Sequence, residues 1–376
     1  VALFTGVYAP THGADLPDKR LENRLPVLPG ALKDVGYATL GFYSGYFLRP
    51  EYGFARGFDH YYNCRTYVKS GDEVVHHDIF NRTPGPDDAP GATNPSIIGS
   101  LESWLEKPPR EPFFAFVHIW DVHWPYTPPS PYDKMFAEEG GLDPSEKEIA
   151  LYDGGIRSTD EMIGDLLDLL RKHGVLDRTL IILTADHGEE FSDHGDTMHG
   201  KTLFDESIRV PLIMRLPGVI RPGLQIDSQV RQIDVFPTIL EIVRRPSPSS
   251  ILGVSLLPAL DGRMKEIALP PAYSSLQTLP GIDNPPLRSL RTSRWKIIER
   301  LDTKEITFYD LTADPKEQAG VAPSESARAR EALAVFRVHT KLLDDLGKAE
   351  RSSAGTQAPE MDPALIERLR SLGYVK

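Results

Sequence analysis

The sequence predicts an α/β fold with a largely parallel sheet, followed by a smaller sheet-plus-helix domain. Three observations carry this expectation. Short continuous apolar runs alternate with amphipathic stretches, turn residues separate them, and the texture changes to proline-broken segments after about residue 245. The 376 residues exceed the ~100–200 of a typical domain, so one large domain plus a smaller one is expected. The boundary is drawn after Asp261-Gly262, giving an α/β domain at 1–262 and an α+β domain with a helical tail at 263–376.

Taken in order, Phe113-Phe114-Ala115-Phe116-Val117-His118-Ile119 reads as a fully buried strand, with His118 inside it as a structural histidine. From Ile156 to His173, apolar Met162, Ile163, Leu166, Leu167, Leu169 and Leu170 recur at helical spacing, and Gly174 is a C-cap candidate. Thr179–Thr184 is a second buried strand. Val210–Met214 is a third, its Pro211 suiting a first or edge position. Asp234–Val243 reads as a short helix with Pro237 in its first turn. Arg244-Arg245-Pro-Ser-Pro-Ser-Ser is a linker by composition. Beyond it, Trp295–Arg300 and Ile306–Leu311 read as an antiparallel hairpin, and helical stretches follow at Ser324–Leu346 and Pro363–Leu372.

Composition narrows the function. Acidic residues outnumber basic ones, 54 to 42, for a net charge of −12, which argues against nucleic acid or an anionic membrane surface as main partner. The longest apolar runs, Phe113–Trp120 and Leu180–Ala185, fall far short of the ~20 residues that span a bilayer, so no membrane span is expected. The single cysteine, Cys64, excludes an intrachain disulfide and has no nearby base pattern, so it reads as inert. The chain opens at Val1 straight into Val-Ala-Leu-Phe-Thr-Gly, which reads as a cut rather than a beginning.

The densest set of potential ligands runs from Thr184 to Lys201 and starts where a strand ends. Open α/β sheets bind ligands beyond the carboxyl ends of their strands. There Asp186 offers a hard oxygen and His187 an imidazole nitrogen to a divalent cation, and Gly188 allows a sharp exit. The bland alternative is a solvated acidic loop. A second cluster, Trp120-Asp121-Val122-His123-Trp124-Pro125-Tyr126, also follows a buried strand. His123 there either hydrogen-bonds an anionic substrate and protonates a leaving group, or packs among the aromatics. Lys201 is a lone cation among acids, fit to neutralise a sulfate or phosphate oxygen or else an ordinary surface lysine.

These segments, in this order, resemble the sulfatase family of the alkaline phosphatase superfamily. Leu3–Gly13 is similar to the stretch after the family's nucleophile motif, and Gly36–Thr39 and Arg56–Asp59 to its next landmarks. His118–Tyr126 resembles the loop whose histidine contacts sulfate, and Thr184–Glu189 the metal-ligand strand end. His199–Ile213, Asp234–Thr238 and Phe308–Pro315 complete the set, and Leu369–Val375 resembles a family ending. The resemblance implies an alkaline-phosphatase-like large mixed sheet between helices and a metal-dependent sulfuric ester hydrolase. It implies Asp186 and His187 as metal ligands, His123 as catalytic and substrate contact, and Lys201 or His199 as a second contact. The implied cation is calcium first, with manganese, magnesium or zinc as alternatives, and the substrate a small-molecule or glycan sulfate or phosphate ester. Periplasmic or secreted placement also follows from the resemblance alone.

Three departures qualify these expectations. Aligning Leu3-Phe4-Thr5-Gly6 on the family pattern places the nucleophile upstream of Val1, so the chain is expected to lack turnover, and Cys64 is followed by Arg65-Thr66-Tyr67 rather than the family's Cys/Ser-x-Pro-x-Arg. Where many sulfatases carry Gly-Lys-Trp-His, this chain has Gly41-Phe42-Tyr43-Ser44-Gly45-Tyr46, which admits a phosphate or phosphonate ester hydrolase or a phosphoglycerol-type transferase. The family's substrate lysine aligns on Gly200, between His199 and Lys201, leaving both open. A catalytically degenerate anion-binding member is the remaining alternative.

Overall fold

Residues 1–14, 19–64, 66–69, 73–76, 89–91, 94–106, 112–137, 142–264, 267–278 and 284–352 are described in a computed structural model. The chain divides into two units, Pro29–Thr179 and Val1–Leu28 with Leu180–Lys376.

In the Pro29–Thr179 unit, strand Ala38–Tyr43 is the centre of a three-stranded parallel sheet, flanked by His60–Asn63 and Phe113–Val117. Leu40 and Phe42 are fully buried, as the central strand of a covered parallel sheet requires. The expected strand at 113–119 stops at Val117. His118 is therefore the first residue past the strand, not part of it, and its N–H donates to Phe42 O at 2.8 Å. A clasp of short contacts sets the entry to the central strand. The Asp59 carboxylate accepts from Thr39 N at 2.9 Å and Thr39 Oγ1 at 3.0 Å, and pairs with Lys33 at 2.6 Å. Gly57 has φ 87°, and a Cβ there would lie 2.3 Å from Gly30 N, so only glycine fits.

The helix expected to begin at Ile156 begins at Pro144 and runs to Lys172. Its start is a capping box. Asp143 accepts from Ser145 N at 2.9 Å and Glu146 N at 3.0 Å, while Glu146 returns a hydrogen bond from Asp143 N at 3.0 Å. Gly154-Gly155 hides the first half of this helix from a propensity reading, because each glycine costs about 1 kcal/mol relative to alanine in a helix interior.

In the other unit, strand Ile181–Thr184 pairs antiparallel with Leu212–Arg215, so Pro211 lies just before the strand rather than within it. The short turn Gln232–Asp234 leads into helix Val235–Ile242, whose residues from Val235 to Leu240 are all buried. The expected hairpin is present as Lys296–Arg300 with Ile306–Tyr309. It belongs to a four-stranded antiparallel sheet, with Ala272–Leu276 and Leu287–Arg291 as strands the sequence reading passed over. Leu290, Ile297 and Phe308 of this sheet pack with Ala329, Ala332, Phe336 and Leu343 of helix Ala327–Ser352. Pro363–Leu372 and Leu369–Val375 lie outside the described residues.

Candidate functional site

Asp186 and His187 stand beyond the end of strand Ile181–Thr184. The side-chain amide of Gln232 donates to Ala185 O at 2.7 Å and Asp186 O at 3.2 Å, which fixes the backbone of the pair from the short turn Gln232–Asp234. His187 Nδ1 lies 2.7 Å from Gly188 O. A carbonyl only accepts, so Nδ1 carries the proton and Nε2 presents its lone pair, 3.8 Å from Asp186 Oδ2. Histidine metal ligands are commonly oriented through such a backbone contact on the other ring nitrogen. A borderline imidazole and a hard carboxylate, both partly solvent-facing, fit two positions of a divalent cation's shell. Among the described residues there is no grouping of three or more His, Cys, Asp or Glu arranged to hold a metal ion.

Gly188 serves a different purpose from the sharp exit the sequence suggested. A Cβ there would lie 1.9 Å from Glu206 O, and Gly188 N donates to Ser207 O at 2.8 Å. The backbone of residues 206–207 passes directly against Gly188, next in the chain after the Asp-His pair, and glycine is what permits the approach.

The structure separates the two candidates that flank Gly200. His199 is buried with Glu189, its Nδ1 lying 2.9 Å from Glu189 Oε1, and its ring faces that of His187 at 4.2 Å between centroids. Lys201 is more exposed and pairs with Asp196 at 3.4 Å. His199 is thus joined to the Asp186-His187 pair, whereas Lys201 is tied to an acidic side chain of its own loop.

Two further groups support this loop, half-buried His194 within the ligand-rich 184–201 segment and fully buried Lys296, which no sequence pattern marks. His194 stacks on Phe204 at 3.6 Å, its Nδ1 faces Glu206, and its Nε2 lies 3.2 Å from Glu317 O. Burial alone would lower its pKa. The hydrogen bond and charge of Glu206 outweigh that and hold it above the ordinary imidazole value. Lys296 is fully buried, 2.7 Å from Asp205 Oδ1, 2.6 Å from Glu317 Oε1 and 3.1 Å from Leu203 O. Arg291 grips both oxygens of Asp205 at 2.8 and 2.5 Å. Burial works against the Asp205 carboxylate, but Arg291 and Lys296 prevail and hold its pKa at about 2. Asp205 sits in the His199–Ile213 block of the family resemblance. Its partners are remote in sequence, so no local signal could have revealed them.

His123 belongs to the Pro29–Thr179 unit. Its ring lies on Trp120, 3.8 Å between centroids and 16° from parallel, and its Nδ1 is 2.6 Å from Trp124 O. The proton therefore sits on Nδ1, which makes Nε2 the acceptor nitrogen of the neutral ring. Packing among aromatics and presentation of a defined ring nitrogen, posed as alternatives by the sequence, coexist here. Cys64 is buried, which pushes its thiol up to about 12 and agrees with an inert role.

Comparison with known proteins gives a consistent picture. The family model described as Sulfatase matches residues 1–244, and that described as N-sulphoglucosamine sulphohydrolase, C-terminal, matches residues 194–341. Among curated relatives, Arylsulfatase K of Bos taurus is 34% identical over 189 residues, covering 47% of this chain and 34% of the relative. The Ulvan-active sulfatase of Formosa agariphila is 26% identical over 239 residues, covering 59% of this chain and 47% of that protein. The match thus spans about a third to a half of these relatives' length. A structure solved in complex with its substrate D-glucosamine-2-N,6-O-disulfate superposes with TM-score 0.71 at 20% identity, covering 96% of this chain and 89% of the other. The phosphonate monoester hydrolase of Agrobacterium radiobacter gives TM-score 0.71 at 22% identity, covering 93% and 85%. At these identities the structural likenesses show the alkaline-phosphatase-like fold alone.

Proposed function

Because the chain belongs to the sulfatase family, we propose that it acts in metal-dependent hydrolysis of sulfuric esters of small molecules or glycans. The observation that carries this reading is the Asp186-His187 pair at a strand end, backed by Gln232 and joined by His199. Residues 1–262 then form the catalytic domain and 263–376 the smaller C-terminal one. Asp186 and His187 would hold the cation, calcium first and manganese, magnesium or zinc as alternatives, which when bound neutralises charge on the ester's non-bridging oxygens. The chain's own residues supply the rest. His123 and His199 present ring nitrogens whose tautomer is fixed from the opposite side by Trp124 O and Glu189. One such imidazole, when protonated, can hold the sulfate oxygens and deliver a proton to the departing alcohol oxygen. Lys201, held by Asp196, adds a positive charge to the same loop.

A second reading, a phosphate or phosphonate ester hydrolase, is favoured by one observation. The Gly41–Tyr46 segment carries neither the lysine nor the histidine of the usual sulfatase pattern.

Metal binding tests the carrying observation without depending on turnover. After chelation and reloading with calcium or manganese, the protein should retain metal by elemental analysis. The Asp186→Ala/His187→Ala variant should lose most of it. Equal metal content in the two proteins overturns the assignment.

A further inference from the structure

The loop that carries His123 lies against one unusual place in the long helix Pro144–Lys172, the pair Gly154-Gly155. A Cβ built on Gly154 would lie 2.4 Å from Tyr132 O and 3.1 Å from Pro128 Cγ. One built on Gly155 would lie 3.2 Å from Asp121 O and 3.5 Å from Val122 Cα. Both glycines sit in regular helix, where alanine is the better residue. Neither has a positive φ, so conformational freedom does not explain them. What they provide is room, on the face where the loop backbone touches the helix. Gly164, in the same helix, has no such neighbour, and a Cβ there would meet nothing within 4 Å.

The two glycines hold both ends of the loop. Gly155 meets Asp121 and Val122, the residues immediately before His123, while Gly154 meets Pro128 and Tyr132 beyond it. Between these points Tyr126 is buried edge-to-face on Tyr152, 5.6 Å between centroids, and Tyr152 is on the same helix. The Tyr132 hydroxyl donates to Glu161, one more anchor to that helix. With both flanks seated, His123 has little freedom left, and its ring comes to rest on Trp120.

We propose that Gly154 and Gly155 form a seat that positions His123, making the two glycines positioning residues for the substrate-contacting imidazole. His123 enters as the ester contact of the proposed reaction, and the seat deepens that reading. Enlarging the seat lifts the loop backbone from the helix by the distance the new methyl group needs. That shift separates the His123 ring from Trp120 and moves Nε2 away from where it meets an anion. Displacements of this size at a reacting group typically cost one to two orders of magnitude in rate.

The test uses Gly154→Ala and Gly155→Ala, with Gly164→Ala as the matched control in the same helix. His123 ring-proton resonances, assigned by their loss in His123→Gln, report the stack directly, because Trp120 shields a ring lying on its face. In Gly154→Ala these resonances should move towards unshielded positions, and kcat/KM for a sulfate ester, read in the protein carrying the upstream segment to which the resemblance assigns the nucleophile, should fall about tenfold or more. Gly155→Ala, with a looser contact and a greater chance of remaining folded, should show the same changes at smaller size. Gly164→Ala should raise Tm while leaving the resonances and KM unchanged. Unmoved His123 resonances in both seat variants, or equal movement in Gly164→Ala, overturn the seat. Moved resonances with unchanged turnover would leave the seat standing and remove His123 from the reaction.

Discussion

Replacing Lys296 by methionine tests how the candidate loop is held. Met matches the aliphatic stem and removes only the ammonium, which serves Asp205, Glu317 and Leu203 O at 2.7, 2.6 and 3.1 Å. Asp205 survives the loss, because Arg291 still binds both its oxygens at 2.8 and 2.5 Å. Glu317 does not. It is 2% exposed, and what stays with it is the N–H of Asp205 at 2.7 Å. Breaking a buried pair by removing one partner costs ~3–5 kcal/mol, most of it the penalty of the charge left behind. Burial already raises the Glu317 pKa, with Lys296 pulling it down, so the variant's Glu317 should take up a proton readily. A folded-state pKa raised above the unfolded value contributes stability at low pH that is lost as pH rises through the folded value. The deficit of Lys296→Met should therefore be largest at neutral pH and shrink towards pH ~5. Equilibrium urea unfolding at the two pH values measures both quantities. The Lys296→Met/Glu317→Gln variant, neutral but still able to accept from Asp205 N, should recover about half of the loss or more. A deficit under ~1 kcal/mol at neutral pH, or one that does not change with pH, would refute the network as the loop's anchor.

Two further outcomes follow from the same loop. His194 is held above its ordinary value of 6.5, so its contribution to stability is complete below that pH and is lost as pH rises through the higher folded value. Unfolding free energy should accordingly fall with rising pH in that window, and His194→Gln should flatten the profile; an unchanged slope in the variant contradicts the assignment. Gly188→Ala forces a methyl group to within 1.9 Å of Glu206 O unless the backbones part. It should cost ~1–3 kcal/mol of stability and weaken metal retention, and a variant with wild-type metal content would show that this approach does not shape the Asp186-His187 pair.

Much of the fold could be read locally. The runs at Phe113–Val117 and Ile181–Thr184 are apolar enough to declare strands, although both are half-buried rather than fully buried, and the clusters that follow them sit where an α/β sheet places ligands. The remainder is hidden for identifiable reasons. Gly154-Gly155 interrupts helical propensity because the space is used by a neighbouring loop. In strand Leu287–Arg291 the adjacent Ser289 and Leu290 are both buried, so no alternation marks it. His12, in the Leu3–Gly13 stretch, is buried at the end of the short helix Ala9–His12, with burial lowering its pKa to about 3. Asp186 and His187 stand out in the sequence by type and strand-end position and His199 only through the resemblance, whereas the approach of His199 rather than Lys201 to His187 depends on the fold. The ties of Asp205 to Arg291 and Lys296, and of His194 to Glu317, join segments far apart in the chain. Such long-range pairing is where local pattern carries no information.

The central proposal is that sulfuric ester hydrolysis proceeds with help from a cation held by Asp186 and His187. The most direct measurement, made on the protein carrying the upstream segment to which the resemblance assigns the nucleophile, compares release of sulfate from an aryl or glucosamine sulfate with hydrolysis of an aryl phosphonate monoester, with and without added divalent metal. Sulfate release should exceed phosphonate hydrolysis, stop on chelation, return with metal, and fall sharply in His123→Ala. A preference for the phosphonate, or sulfate release indifferent to chelation, would contradict the account.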